Sequence, residues 1–454
     1  MTNLKSIEEY FRPFTAQYHR LFSIREIETE TTVQWMFGAM LFYFFVSFSI
    51  WMGEKNITVE AAQNGSAICW PFFQNCTHFY FLHAFPYGYS YTALYMFFYG
   101  VMCLIVYCMW QKKWVYAHIL LLLLLLWKIF VMLLSFNIVG PYDYYHIILT
   151  SVLLFVPYKE YFLKLSFVVM YFMSVTVKFT PAWELGTYFT SMRSGLPLFP
   201  SWSTVFLTNF VIFIQVIDCW FLMSKNWILQ RGSFFLAAAF HLFSGLLVFY
   251  NYPSIALPPI LILFGPMYRY TSAPFGRKAI AGWMVILLIA LFQLLGFVIS
   301  PDRFLTLEGH RYGMFMFEAN HQCTFTINTY SKGTAPPESW SGLNCKSLVC
   351  MTSSVSTSKN GETVRTMTFE SASSWYRCDP YETWFLAKPD CNAPGVERVS
   401  LQFDHSINGG PFYRIVDEPN ICNLTYNAFS HNSWIKVPPE AKAVGYPVQN
   451  YYSL

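Results

Sequence analysis

The stretch WVYAHILLLLLLLWKIFVMLLS, residues 114–135, decides what kind of chain this is. A helix needs about 20 apolar residues to cross a hydrocarbon core, and this run supplies them with one lysine, Lys128, inside it. Working outward, similar apolar runs recur near 33–52, 92–110, 144–158, 162–178, 204–224, 233–250, 254–267 and 281–300, separated by short polar turns. The spacing predicts a polytopic α-helical membrane protein of about nine spans, the fourth and eighth short enough to be tilted, broken or partly re-entrant. Composition agrees: the 454 residues are 55% hydrophobic, 20% aromatic and only 12% charged. A soluble globular chain carries about 25% charged residues. The 46 Phe, 31 Tyr and 15 Trp suit aromatic belts at a bilayer's edges. A net charge of +4, spread along the chain, excludes a nucleic-acid partner and leaves membrane lipids as the first surroundings to consider.

Charge in the loops sets orientation. With residues 1–32 cytosolic, the inner loops and helix ends carry Lys112, Lys113, Lys159, Lys164, Lys225, Arg231, Arg269, Arg277 and Lys278, while the outer loops carry only Lys55 and Arg193, with Lys178 at a helix end. The opening segment holds Glu8, Glu9, Arg12, Arg20 and Arg25, which suits an interfacial amphipathic helix or a plain cytosolic lead-in and does not fit a cleavable signal peptide. Residues 33–300 then form the helical domain, with an exoplasmic loop at 53–91. An odd number of spans places residues 301–454 outside the cytosol, in the endoplasmic reticulum or secretory pathway of a eukaryotic cell.

Cysteine usage points the same way. Cys69, Cys76, Cys323, Cys345, Cys350, Cys378, Cys391 and Cys422 all fall in the predicted exoplasmic segments, an even set that reads as disulfides, with Cys69–Cys76 the pairing the spacing favours. No paired C-x-x-C spacing occurs, so no metal is expected. Sequons at Asn56, Asn64, Asn75 and Asn423 lie on that same face. The tail reads as mainly β: alternation runs through 322–330, 363–369 and 400–403, with turn signals at Asn360-Gly361 and Gly409-Gly410. About 150 residues suit one sandwich-like, disulfide-rich domain.

Ionisable residues inside spans are expensive and therefore informative. At about 1.5 Å of rise per residue, His146 and Lys178 fall within roughly 5 Å of the exoplasmic boundary and Lys128 about 10 Å below it. These three are expected to surround a cavity open to the outside. Lys178 has a plainer alternative, snorkelling to the interface. Asp218 and His241 lie deeper, roughly 10 Å above the cytosolic boundary. A charge-assisted hydrogen bond between them would clamp two helices. An amine withdrawn from water favours its neutral form and can take up a proton, which suits a lipophilic acid arriving from the bilayer. No P-loop, G-x-S-x-G, H-E-x-x-H or dinucleotide fingerprint sits in a fitting context, so hydrolase, kinase and nicotinamide chemistry gain no support.

The segment Val177-Lys178-Phe-Thr-Pro-Ala-Trp183-Glu-Leu-Gly186 resembles the Lys-x₄-Trp-x-x-Gly signature of vitamin K-dependent gamma-glutamyl carboxylases and the broader horizontally transferred transmembrane domain family. Tyr144-Tyr-His146, Val216-Ile-Asp218, Phe240-His241 and the run from Glu308 to Phe317 resemble further family positions in order. The resemblance spans roughly residues 33–330 and implies that Lys178 deprotonates vitamin K hydroquinone, or another quinol, with His146 assisting. Trp183, Gly186, Lys128, Asp218 and His241 would support the pocket, and a protein glutamate would be carboxylated. The chain departs from the family at Tyr145, where the family has Asn, and in a much shorter exoplasmic portion. Two other readings stand beside it. One is a non-catalytic relative acting as scaffold or subunit, its tail binding a partner on the exoplasmic side. The other is a different quinone-linked reaction in the same pocket. The enzyme reading requires Lys178 and His146 to face one apolar cavity within about 10 Å.

Overall fold

The computed structural model describes residues 15–53, 68–74, 90–133, 136, 140–190, 195–248, 252–315, 319–332, 349–357, 362–371 and 378–444. After a short helix at Ile24–Thr29 come α1 (Thr31–Gly53), α2 (Ser90–Trp110), α3 (Trp114–Leu133), α4 (Pro141–Phe155) and α5 (Lys159–Met173), which tightens into a 3₁₀ turn at Ser174–Lys178. α6 (Thr204–Phe213) continues through a π turn at Ile214–Asp218 into Cys219–Phe221. α7 (Trp227–Leu246), α8 (Pro253–Phe264) and α9 (Ile280–Ile299) complete the helical part.

Five of these helices are long and apolar enough to cross a membrane: α1, α3, α5 with its 3₁₀ turn, α6 and α9. That is compatible with an integral membrane protein and falls short of the nine spans expected. The reason is length and polarity. α4 has 15 residues and α8 has 12, or about 22 and 18 Å of rise against a core of about 30 Å. α7 carries Gln230, Arg231 and His241. Pro258 and Pro259 lie inside α8 and remove two backbone donors there. Only 28% of the apolar window of α9 is buried within the protein, and its outward face shows large apolar side chains such as Val298, 82% exposed. Such a face needs lipid or another apolar cover.

Caps explain where several elements begin. Pro141 stands at the first turn of α4, and Asp143 accepts the Gly140 amide at 3.1 Å. Thr180 caps the short helix Pro181–Glu184 by accepting from the Trp183 amide.

Beyond α9, β1 (His321–Lys332), β2 (Val349–Thr357), β3 (Glu362–Ser371), β4 (Val396–Ile407) and β5 (Tyr413–Glu418) form one antiparallel sheet in the order β2-β3-β1-β4-β5. The three alternating runs expected in the tail are β1, β3 and β4. A sandwich is not what they build. β1 alternates buried with half-buried residues, and a helix, α10 (Pro380–Ala387), supplies Tyr381 and Trp384 to the core beside Phe325, Leu401 and Phe403. A helix and loops thus occupy the place of a second sheet. Asn408 and Gly409 both have positive φ, 51° and 71°, in the β4–β5 turn, a conformation that Asn and Gly tolerate best.

Cys323–Cys378 and Cys391–Cys422 form disulfides, and Cys69 is disulfide-bonded as well. Cys76 and Cys345 lie outside the described residues, as do Lys55, Arg193, the sequons at Asn56, Asn64 and Asn75, and the Asn360-Gly361 turn. Cys350 lies in β2. Asn423 is exposed at the end of a 3₁₀ turn.

The two parts join through residues 68–74. Trp70 Nε1 donates to the Met132 carbonyl at the end of α3 at 2.6 Å, and Tyr381 of α10 donates to the Cys69 carbonyl at 2.8 Å. Arg311 bridges the halves, donating to the Phe136 carbonyl and to Glu382 of α10, each at 2.8 Å.

Candidate functional site

The 3₁₀ turn that ends α5 carries Lys178, 3% exposed, with Nζ 3.3 Å from the Ser174 carbonyl and 5.2 Å from the centre of the Trp183 ring. Trp183 is fixed in turn, its Nε1 donating to the Thr208 carbonyl of α6 at 3.0 Å. Gly186 has φ +75°, and a Cβ placed there would come within 2.8 Å of Thr204 Cγ2. Glycine is therefore required by conformation and by space. The Lys-x₄-Trp-x-x-Gly spacing is the footprint of this turn, which folds lysine and indole together and seats them on α6.

Lys178 and Trp183 line a cavity of about 270 Å³. Its other walls come from α6 (Thr208, Ile214, Gln215), from α7 (Phe240, Ser244) and from Tyr252 and Pro253 at the start of α8. The lining is mostly apolar, with an amine, an amide and hydroxyls as its polar points, the make-up of a small-molecule site.

His146 is elsewhere. Among the described residues lining this cavity there is neither His146 nor Lys128, so the three polar residues expected around one chamber divide into two places. Lys128, fully buried, sits 2.8 Å from Asp143 Oδ1, 3.1 Å from Ser47 Oγ and 2.9 Å from His146 Nδ1. His146 Nε2 lies 3.1 Å from the Met40 carbonyl. A carbonyl can only accept, so Nε2 carries the proton and Nδ1 accepts from the ammonium. Tyr43 and Phe44 wall the imidazole edge-on. Charge explains the partition: a buried ammonium requires a counter-ion, and Asp143, two residues past Pro141, provides one between α1, α3 and α4. Sequence reasoning passed over Asp143. Its position three residues before His146, one helical turn away, was the available signal.

Asp218 and His241 do not form the hydrogen bond expected of them. Asp218 Oδ1 accepts from Ser233 Oγ of α7 at 2.7 Å. Both ring nitrogens of His241 lack a hydrogen-bond partner, and the ring lies against Tyr171, Phe240 and Tyr252. Asp218 still joins α6 to α7, through a serine. Gln215 and Tyr252, which do line the cavity, were also missed; the amide inside the apolar run Ile212-Phe-Ile-Gln215-Val-Ile was legible as an anomaly.

A second polar cluster lies where the sheet meets the helices. His321 Nδ1 is 3.1 Å from His405 Nε2, and His310 Nδ1 is 3.7 Å from Asp379 Oδ2. Burial, assisted by Arg311, holds the His310 imidazole well below its usual range. Burial, assisted by His321, pushes His405 down to about 3. Burial raises the Asp379 carboxyl to about 7 against the opposing pull of Arg311. Among the described residues, no group of three or more side chains is placed to hold a metal ion.

Comparison with protein-family models, with characterised proteins and with solved structures gave no match.

Proposed function

We propose that the protein is an integral membrane enzyme of the carboxylase-like type, in which Lys178 takes a proton from a lipophilic quinol. The observation that carries this reading is a lysine 3% exposed in the wall of a mostly apolar cavity, where a permanent charge would be costly. The cavity fits a quinol ring. Its roughly 270 Å³ lies at the small end of ligand sites, which run from about 300 Å³, and would hold the ring of such a molecule rather than the whole of it. When bound, an oxygenated quinol supplies a base strong enough to remove a proton from a protein glutamate. The chain's own contribution is narrower. Lys178 Nζ accepts the ring hydroxyl's proton, the Ser174 carbonyl then takes one N–H of the resulting ammonium, and the Trp183 face steadies that cation. The apolar walls exclude water from the exchange. In the same proposal α1 to α9 all lie in the bilayer, the four shorter or more polar helices tilted or partly re-entrant. The N-terminus is then cytosolic and the sheet domain exoplasmic, in the endoplasmic reticulum.

One observation favours a second reading, a non-catalytic scaffold whose sheet domain binds a partner subunit: His146, the expected assistant of Lys178, is occupied by Lys128 and Met40. Quinol-dependent incorporation of labelled CO₂ into a glutamate peptide separates the two. The enzyme reading expects incorporation by the wild type and its loss, by a factor of about 100 or more, in Lys178→Ala. Equal incorporation, or none from either protein, leaves the scaffold.

A further inference from the structure

Gln215 stands on the π turn of α6 and lines the cavity at 4% exposure. The orientation of its amide follows from its neighbours. Ser174 Oγ donates its only proton to the Tyr171 carbonyl at 2.7 Å, so it must accept from the Gln215 Nε2 group, 2.9 Å away. The nitrogen is thereby committed to Ser174, and the amide oxygen, Oε1, is left as a buried acceptor without a hydrogen-bond partner. Such a group is costly in an apolar interior unless something donates to it. Ser174 also offers its carbonyl to Lys178, so one residue positions both the amine and the amide of the cavity wall.

We infer that Gln215 is a specificity residue of this cavity: its Oε1 accepts a proton from a ring hydroxyl of the ligand, so the cavity selects the hydroxylated, reduced form of a quinone-like ring over the carbonyl form. The inference rests on the proposal that the cavity takes a quinol. A carbonyl oxygen presented to Oε1 sets acceptor against acceptor and leaves both unsatisfied, whereas a hydroxyl satisfies both. No other polarity of ligand meets the orientation that Ser174 imposes.

The test uses the full chain in detergent micelles and two stable probes, a prenylated 1-naphthol and its methyl ether, which differ by the donor hydrogen. Titration calorimetry should show the wild type preferring the naphthol by about tenfold or more. In Gln215→Met the two affinities should come within about twofold, through weaker naphthol binding. A wild type without preference, or a Gln215→Met variant that retains it, would overturn the inference. Should Gln215→Met fail to accumulate, Ser174→Ala releases the amide to turn; a preference undiminished in that variant is equally fatal. Failure of the wild type to bind either probe ends this inference and the quinol site together. A preference that shifts as described, without any CO₂ incorporation, overturns the carboxylase-like reaction and leaves the role of Gln215 standing.

Discussion

Lys128 shows how a single buried charge organises its surroundings. Its ammonium meets Asp143, Ser47 and His146 within 3.1 Å, and every one of these is buried. Removing one member of a buried pair leaves the other uncompensated, at about 3–5 kcal/mol. Lys128→Met is therefore expected to lower the unfolding temperature strongly in detergent. The double change Lys128→Met with Asp143→Leu should recover part of that loss, a non-additivity visible in the same melting curves; strict additivity would mean the pair is not coupled. At this scale the sequence was legible where spacing encodes a turn: Lys178, Trp183 and Gly186 are three faces of one local structure. It was illegible where the decisive fact is who faces whom. His146 and Lys178 both sit near helix ends, and only the packing of α1 against α3 and α4 tells that the histidine belongs to Lys128.

At the scale of elements, two glycines matter. Gly282 of α9 lies so close to Phe162 of α5 that a Cβ there would collide with the ring, so this helix pair approaches without an intervening side chain. Gly186 allows the turn that seats Trp183 on α6. For Gly186→Ala the strained positive φ and the clash with Thr204 are expected to cost about 1–3 kcal/mol. Binding of the naphthol probe should weaken with the displaced indole, and unchanged melting and binding would show that the turn tolerates a side chain. Apolar runs announced α1, α3, α5, α6 and α9. They also announced that the fourth and eighth runs are short, and α4 has 15 residues and α8 has 12. The tail's strands were legible from alternation, whereas their arrangement was not, because α10 supplies the covering layer only through long-range contacts.

For the molecule as a whole, the junction between sheet and helices makes stability depend on pH, and the sign follows from three groups. The Asp379 carboxyl, raised to about 7, adds stability present below its ordinary range, near 3.8, that fades as pH rises through 7. His405, lowered to about 3, and His310, also lowered, act oppositely: their contribution is full above 6.5 and is lost as pH falls. Between about pH 4 and 6.5 the unfolded chain binds two protons on these histidines while the folded chain binds one on Asp379. Stability should then drop by about 1.4 kcal/mol per pH unit on acidification. Melting temperatures across that range check it, and His405→Asn should flatten the curve by leaving one proton on each side; a midpoint that rises with acid would refute the assignment. The disulfides Cys323–Cys378 and Cys391–Cys422 close separations of 55 and 31 residues, each worth about 4 kcal/mol by restricting the unfolded chain. Reduction should lower the melting temperature of the wild type, and by less in a variant with those four cysteines replaced by serine, where the disulfide at Cys69 is still left to break.

The Arg311 guanidinium reaches back across 175 residues to the Phe136 carbonyl. A ribosome adds about 5–20 residues per second, so that carbonyl is made roughly 9–35 s before its donor. During that interval the Phe136 carbonyl waits for an anchor not yet synthesised. Slowing translation between those two codons would prolong the wait and the opportunity for quality control to intervene, with every contact of the finished protein unchanged.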